Sequence, residues 1–297
     1  MWVAQYVQVR TDAGAGTGHA AIMSVPVTWR HGARTHCGLV RPGNEDSLYA
    51  GSRLVAVADG VGGEAAGEVA SELAIAAMAP LDAGVAGDPV TALRAAVADA
   101  NGRIRDAVQA DPALSGMGTT LTALLLSGGR LVLAHAGDSR AYLCRDGEVR
   151  QITRDDTYVQ LLVDEGHISA AEAGRHPHRS VVTRTLHGTP VEATYETRKP
   201  APGDRYLVCS DGLPAAVADE DIAATLRDEP DPDACAGRLL ELALAGGAPD
   251  NVTVIVADVV PDGEHPGRHP AVRVTLLTVA LIAAALGVLL WLGPKFW

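Results

Sequence analysis

Residues 119–152 read TTLTALLLSGGRLVLAHAGDSRAYLCRDGEVRQI and hold two hairpin signals in succession. The apolar runs Thr119–Leu126 and Leu131–Ala136 are separated by Ser127-Gly128-Gly129-Arg130, and Ala141–Arg145 and Glu148–Ile152 by Asp146-Gly147. Gly-Gly and Asp-Gly supply the positive-φ residues that tight hairpin loops require. Upstream, Leu54–Ala58 is a short apolar run ending in Asp59-Gly60. Glu64–Ala79 has helical spacing, with Val69, Leu73, Ala76 and Ala77 on one face, and Pro89–Ala110 reads as a longer helix with proline in its first turn. Downstream, 156–175 reads as helix, His176-Pro177-His178 as irregular, and Tyr206–Ser210 as a strand ending in Asp211-Gly212. Residues 219–227 and 232–245 read as helices, and Asn251–Val260 as a long apolar strand. Hairpins outnumber β-α-β units. The expected fold class is therefore α+β, a layered sandwich of two mostly antiparallel β-sheets flanked by helix pairs (α-β-β-α).

Composition bounds the function. The chain has 297 residues, 47% hydrophobic and 20% charged, enough for a large core and too apolar for global disorder. Aromatics make up only 4%, so Ala, Val and Leu must fill that core. A formal net charge of −12 speaks against nucleic acid as a partner, because such binding rests on neutralising phosphates with Lys and Arg. Cys37, Cys144, Cys209 and Cys235 form no C-x-x-C pair and no zinc spacing, and read as reduced thiols.

The two ends differ in character from the middle. Residues 1–31 are rich in Gly and small residues without an apolar period and read as a flexible extension, Met23 being an alternative start. A globular domain is expected over 32–260 and a polar linker over 261–273. Val274–Leu292 is uncharged over 19 residues, about 28 Å as a helix, and is expected to form a single transmembrane helix followed by a short tail, 293–297. Arg268 and Arg273 precede it and only Lys295 follows. That asymmetry places the large domain on the cytoplasmic side of the cell membrane, as a single-pass protein.

The acidic residues share a pattern. Asp59 and Asp211 each end a strand and precede glycine, Asp138 follows the run Leu131–Ala136 and Gly137, Asp250 precedes a strand, and Glu45 and Asp46 sit just before another. Any one Asp-Gly is an ordinary turn. Together, carboxylates at strand ends can converge on one rim of a sandwich, where they would repel one another unless cations lie between them. Mg2+ and Mn2+ prefer oxygen ligands in octahedral geometry and suit such a cluster.

The segments R-P-G-N-E-D-S (41–47), V-A-D-G-V-G-G (57–63), G-T-T (118–120), G-D-S-R (137–140), C-S-D-G-L (209–213) and P-D-N-V-T (249–253) stand in an order and spacing that resembles the metal-dependent protein phosphatases, the protein phosphatase 2C family, over about residues 32–258. The bacterial branch is most similar, including membrane-tethered members that oppose receptor-like Ser/Thr kinases. The resemblance implies a serine/threonine phosphatase acting on phosphorylated proteins, a membrane Ser/Thr kinase among them, by attack of a water bridging two Mn2+ or Mg2+ ions. By that resemblance Asp59 bridges the two ions, the Gly60 carbonyl binds one, and Asp211 and Asp250 complete the other. Glu45 and Asp46 reach the ions directly or through water. Asp138, with Asp211, matches the position of a third, weaker ion, and Arg41 binds the substrate phosphate with its guanidinium fork. The metals and Arg41 then offset charge on the phosphoryl oxygens, and no covalent intermediate is required.

One position departs from the pattern. Some relatives carry His directly after the Asp-Gly of the second motif, and here it is Val61, which leaves the general acid unassigned. His176, His178 and Ser180 fall in the segment that forms a flap in bacterial relatives; only substrate contact is expected of the two histidines, and metal or substrate contact of Ser180. Two rival readings are weaker. Cys144 and Arg150 have the spacing of a cysteine phosphatase, but Asp146-Gly147 between them makes a hairpin and no glycine-rich loop that opens a helix. A membrane-held phosphoprotein-binding module of the same fold, without turnover, is disfavoured because every matched metal-ligand position is intact.

Overall fold

The two hairpins expected from residues 119–152 form, and they belong to different sheets. The computed structural model describes residues 26–62, 66–263 and 272–274. In chain order its elements are β1 (Val27–His36), β2 (Asp46–Ala50), β3 (Leu54–Val61), α1 (Ala66–Met78), α2 (Pro89–Ala110), β4 (Gly118–Thr119), β5 (Leu121–Ser127), β6 (Arg130–Ala136), β7 (Arg140–Arg145), β8 (Glu148–Gln151), α3 (Tyr158–Asp164), α4 (Ala170–Ala173), β9 (Thr194–Arg198), β10 (Arg205–Cys209), α5 (Gly212–Ala216), α6 (Asp219–Asp228), α7 (Pro232–Ala245), β11 (Val252–Pro261) and β12 (Val272–Val274). One sheet runs β1-β11-β10-β7-β8, and the other β12-β2-β3-β5-β6-β9 with β4 on β3. Every pairing is antiparallel. Both hairpin loops place two consecutive residues at positive φ, Gly128 and Gly129 in one and Asp146 and Gly147 in the other, the backbone of a type I′ turn.

Side chains alternate across each strand, and both faces are covered. Along β3, Val55 and Val57 enter the core between the sheets, while Leu54, Ala56 and Ala58 meet α1 and α2. Along β11, Ile255, Ala257 and Val259 face the inter-sheet core, while Val252, Val254 and Val256 meet α5–α7. Double coverage explains why these strands read as continuous apolar runs. Between the sheets Trp29 meets Tyr206 edge to face at 5.5 Å. Asp88 caps α2, accepting from Thr91 N at 2.9 Å, and Asp231 caps α7, accepting from Ala234 N at 3.0 Å, each followed by proline.

The α-β-β-α layering is as expected; the appended transmembrane helix is not. Val274, expected as the first residue of the span, ends β12, whose residues pair laterally with β2 (Val274↔Leu48). No helix among the described residues is long and apolar enough to cross a membrane. The one of spanning length, α2 with 22 residues, carries Arg94, Asp99, Arg103, Arg105 and Asp106. The remainder of the expected span, 275–292, lies outside the described residues, as do Met23 and most of the N-terminal extension. The transmembrane helix, the membrane as a partner through it, and the single-pass membrane localisation are withdrawn on these findings. β1 also begins inside the stretch read as irregular: it pairs with β11 from Val27↔Pro261 to His36↔Val252.

Candidate metal centre

Five strand ends meet at one rim of the sandwich. Asp46 on β2 lies directly opposite Asp59 on β3 in the ladder. Asp59 is fixed through its backbone: its N–H donates to Thr120 Oγ1 at 3.0 Å, and its carbonyl accepts from Thr120 N and Thr119 Oγ1, both at 2.9 Å. The G-T-T segment thus acts as a clamp on Asp59. Gly60 and Gly67 allow α1 to close on this strand. A β-carbon at Gly60 would stand 2.2 Å from the Gly67 carbonyl oxygen, and one at Gly67 only 1.9 Å from Glu45 Oε2. Asp138 sits in the turn between β6 and β7, Asp211 at the end of β10 and Asp250 just before β11.

Arg41, Glu45, Asp59, Gly60, Asp138, Asp211 and Asp250 line one cavity of about 220 Å³, together with Val61, Thr120, Ser180 and Val182. Asp46 does not line it but lies buried, its Oδ2 accepting from Ser210 Oγ at 2.7 Å. Every residue singled out as a candidate ligand or phosphate contact is therefore in or next to one space. His176 and His178 are not among its lining residues; His176 is half-buried, His178 is exposed, and both group with Tyr158, ring centroids 5.6–6.2 Å apart. No histidine among the described residues lines the cavity, and Val61 is part of the lining, 36% exposed. Arg41 donates to Asp250 Oδ2 at 2.7 Å, an ion pair with 54% and 34% of the two side chains exposed. At that exposure the pair is worth about 1 kcal/mol or less.

The electrostatics of the cluster call for positive charge. Burial, followed by repulsion from Asp46, Asp211, Asp138 and Asp250, holds the Asp59 carboxyl well above the usual carboxylate range. Burial above all pushes Asp46 up to about 7, against hydrogen bonds with Thr253 and Ser210. Burial, then Asp211 and Asp155, pushes Asp138 to about 7, and burial, then Asp250, pushes Asp211 to about 6. Asp46 Oδ1 is buried with no hydrogen-bond partner. A buried acceptor left unpaired among crowded carboxylates fits a cation site. No group of three or more His, Cys, Asp or Glu side chains among the described residues forms a closed ligand cage around one point. Ions held here would draw on few side chains each and complete their shells with carbonyl oxygen and water, as Mg2+-type ions commonly do.

Asn251 escaped the sequence reading. It is buried, its Oδ1 accepts from Glu45 N at 2.8 Å, and its Nδ2 donates to the carbonyls of Cys37 and Gly43 at 3.0 and 2.8 Å. One side chain thereby holds both ends of the loop carrying Arg41. It stands inside the P-D-N-V-T segment, so the signal was present, but only tertiary contact reveals the role. Asn251→Ala is expected to destabilise the protein by about 2–4 kcal/mol, read as a lower urea midpoint, because it strips three partners from a buried loop. An unchanged midpoint would show that water replaces the amide without loss. Cys144 is buried within the β7–β8 ladder opposite Val149, and burial raises its thiol, which is the reverse of an activated nucleophile.

A model of the family described as Protein phosphatase 2C matches residues 44–231. The serine/threonine protein phosphatase PstP of Mycobacterium tuberculosis is 57% identical over 237 residues, which are 80% of this chain and 46% of that protein. The chain thus spans about half the length of these curated relatives. The serine/threonine phosphatase stp of Listeria monocytogenes is 32% identical over 239 residues, covering 76% of this chain and 94% of that one. Among solved structures, the M. tuberculosis phosphatase PstP/Ppp superposes with a TM-score of 0.76 at 56% identity, covering 78% of this chain and 99% of that one. The catalytic domain of PstP in complex with two manganese ions gives 0.75 at 55% identity over 79% of this chain and 99% of that one.

Proposed function

The chain belongs to the protein phosphatase 2C family, and from that premise we propose that it is a metal-dependent serine/threonine protein phosphatase whose substrates are phosphoserine and phosphothreonine side chains of proteins. The observation that supports this reading most directly is the convergence of Asp59, Asp138, Asp211 and Asp250 with Arg41 on one cavity, above a buried carboxylate oxygen that lacks a partner. Asp59 with the Gly60 carbonyl, Asp211 and Asp250 would hold two Mn2+ or Mg2+ ions, the number described for the related PstP catalytic domain. Asp138 with Asp211 would hold a third, and Glu45 and Asp46 would support the set. Bound there, the ions supply Lewis-acid stabilisation of phosphoryl oxygens and a water acidic enough to ionise near neutral pH.

The side chains of the chain itself do the rest. Arg41 donates to Asp250 in an ion pair, and with Asp250 engaged by a cation its guanidinium would be available to donate to a phosphate oxygen. Thr119, Thr120 and Asn251 fix the backbones of Asp59 and the Arg41–Glu45 loop, so that the groups need little reorganisation when charge develops. Ser180 and Val182 line the cavity beside these groups. With no histidine among the described residues in the lining, protonation of the leaving alkoxide falls to solvent or to a carboxyl of the cluster. The purified full chain is expected to release phosphate from a phosphothreonine peptide with Mn2+ and to stop in excess chelator. Cys144→Ser is expected to keep full activity. Inactivity with and without Mn2+ would overturn the reading in favour of a phosphoprotein-binding module.

A further inference from the structure

Only two buried side-chain polar atoms among the described residues lack a hydrogen-bond partner, Asp46 Oδ1 and Arg198 Nε. The first is an acceptor and lies beneath the carboxylate cluster. The second is a donor and belongs to a different cavity, of about 520 Å³, lined from β8 in one sheet and β9 in the other. A buried donor without an acceptor is unfavourable, and its natural complement is an anion. We propose that this cavity is a second oxyanion site that takes a phosphate group, distinct from the candidate metal centre.

The charges around it support that assignment. Asp155 is neutralised from outside the cavity by Arg140, which donates to both carboxylate oxygens, with Nη2–Oδ2 at 2.7 Å. Asp164 pairs with Arg154, Glu196 with Arg198, and Asp156 with Arg184 at 3.0 Å. The lining holds four arginines and four carboxylates, and because Asp155 is held by Arg140 from outside, Arg150, exposed on β8, is the lining arginine that makes no ion pair among the described residues. Guanidinium groups therefore face the cavity from three separate elements: Arg150 on β8, Arg198 on β9 and Arg184 beyond the Thr157↔Val182 bridge. Forks arriving from three directions suit the several oxygens of a tetrahedral anion better than a flat carboxylate. The cavity also touches the candidate centre's framework. Asp156, the partner of Arg184, accepts from Gly137 N at 3.0 Å, beside Asp138, and its carbonyl accepts from Thr183 N at 2.7 Å. An anion that draws Arg184 away from Asp156 acts on the Asp138 turn.

The proposal does not depend on the phosphatase reading, because it is tested without metal. In the chelator-treated full chain, the carboxylates of the candidate centre repel phosphate, so that cleft does not compete. Inorganic phosphate and a phosphothreonine peptide are each titrated by isothermal calorimetry. Saturable binding is expected, weakened at least tenfold in Arg150→Gln and in Arg198→Gln and unchanged in Arg41→Ala. Arg150 is exposed, so its substitution tests the site even where Arg198→Gln fails to fold. Binding of free phosphate alone assigns a site for the free anion, whereas peptide binding at least tenfold tighter than phosphate assigns a site for a phosphorylated protein side chain. Absence of saturable binding by either probe, binding insensitive to Arg150→Gln, or binding lost in Arg41→Ala overturns the proposal.

Discussion

Asp59→Asn is expected to lower Mn2+-dependent phosphopeptide hydrolysis by about 10³-fold or more and, in the same protein stripped of metal, to raise the melting temperature. The two effects have one origin. Asp59 is buried, opposite Asp46 in the ladder and within the influence of Asp211, Asp138 and Asp250, so its charge is unfavourable until a cation arrives. Asparagine keeps the size of the side chain and removes the charge. The bonds that hold residue 59 to Thr119 and Thr120 run through its backbone and survive the change. Relief of about 1–2 kcal/mol corresponds to a rise of about 2–8 °C for a domain of this size. Calorimetric melting with chelator, beside a phosphate-release assay with Mn2+, checks both. A variant that melts earlier without metal would mean that the carboxylate holds the fold. One within tenfold of wild-type activity would remove Asp59 from the centre.

Mn2+ itself is expected to stabilise the protein, and by more at pH 7.5 than at pH 5. A carboxyl whose pKa is higher in the folded than in the unfolded chain binds extra protons when folded, so stability falls as pH rises between the two values. For Asp46 and Asp138 that interval runs from 3.8 to about 7, and for Asp211 from 3.8 to about 6. The contribution of these groups to metal-free stability is therefore fully present below the lower bound and lost by neutral pH. Metal reverses this where the carboxylates are ionised and must displace protons where they are not. At about 100 times the dissociation constant, Mn2+ adds about 2.7 kcal/mol, a shift of roughly 5–10 °C. A larger shift at pH 5 than at pH 7.5 would contradict the sign of these perturbations, and no shift at either pH would contradict the site.

Local signals made the layers legible because hairpin loops and helix caps are short-range chemistry. Asp146-Gly147 and Gly128-Gly129 adopt the positive φ their identity permits, and Pro89–Ala110 has the bounds its cap and periodicity suggest. Elements decided by distant partners were not legible. β1 (VTWRHGARTH) has no clean alternation and is a strand because β11 lies beside it. β9 (TYETR) is an outer strand with no buried residue, and nothing local distinguishes it from loop. The expected span failed at Val274, since an uncharged run signals burial without saying in what. At the candidate centre, Arg41, Glu45, Asp59, Gly60, Asp138, Asp211 and Asp250 share a cavity that motif order had anticipated. The orphaned oxygen of Asp46, the Arg41–Asp250 pair and the grip of Asn251 on residues 37–45 depend on contacts across some two hundred positions and required coordinates.

The β1–β11 ladder also sets a clock on biogenesis. Its partners Arg30 and Asp258 are 228 positions apart. At roughly 5–20 residues per second, the ribosome leaves β1 without its mate for on the order of 10–45 s. Asp250 and Asn251 sit immediately ahead of β11 and emerge together with it. A nascent chain thus carries Asp59 and Asp138 long before it can complete the rim or fasten the Arg41 loop. A cation that binds this rim can meet its full set of carboxylates only after residue 250 has emerged, and until then Asp59 and Asp138 lack the partners that would share it.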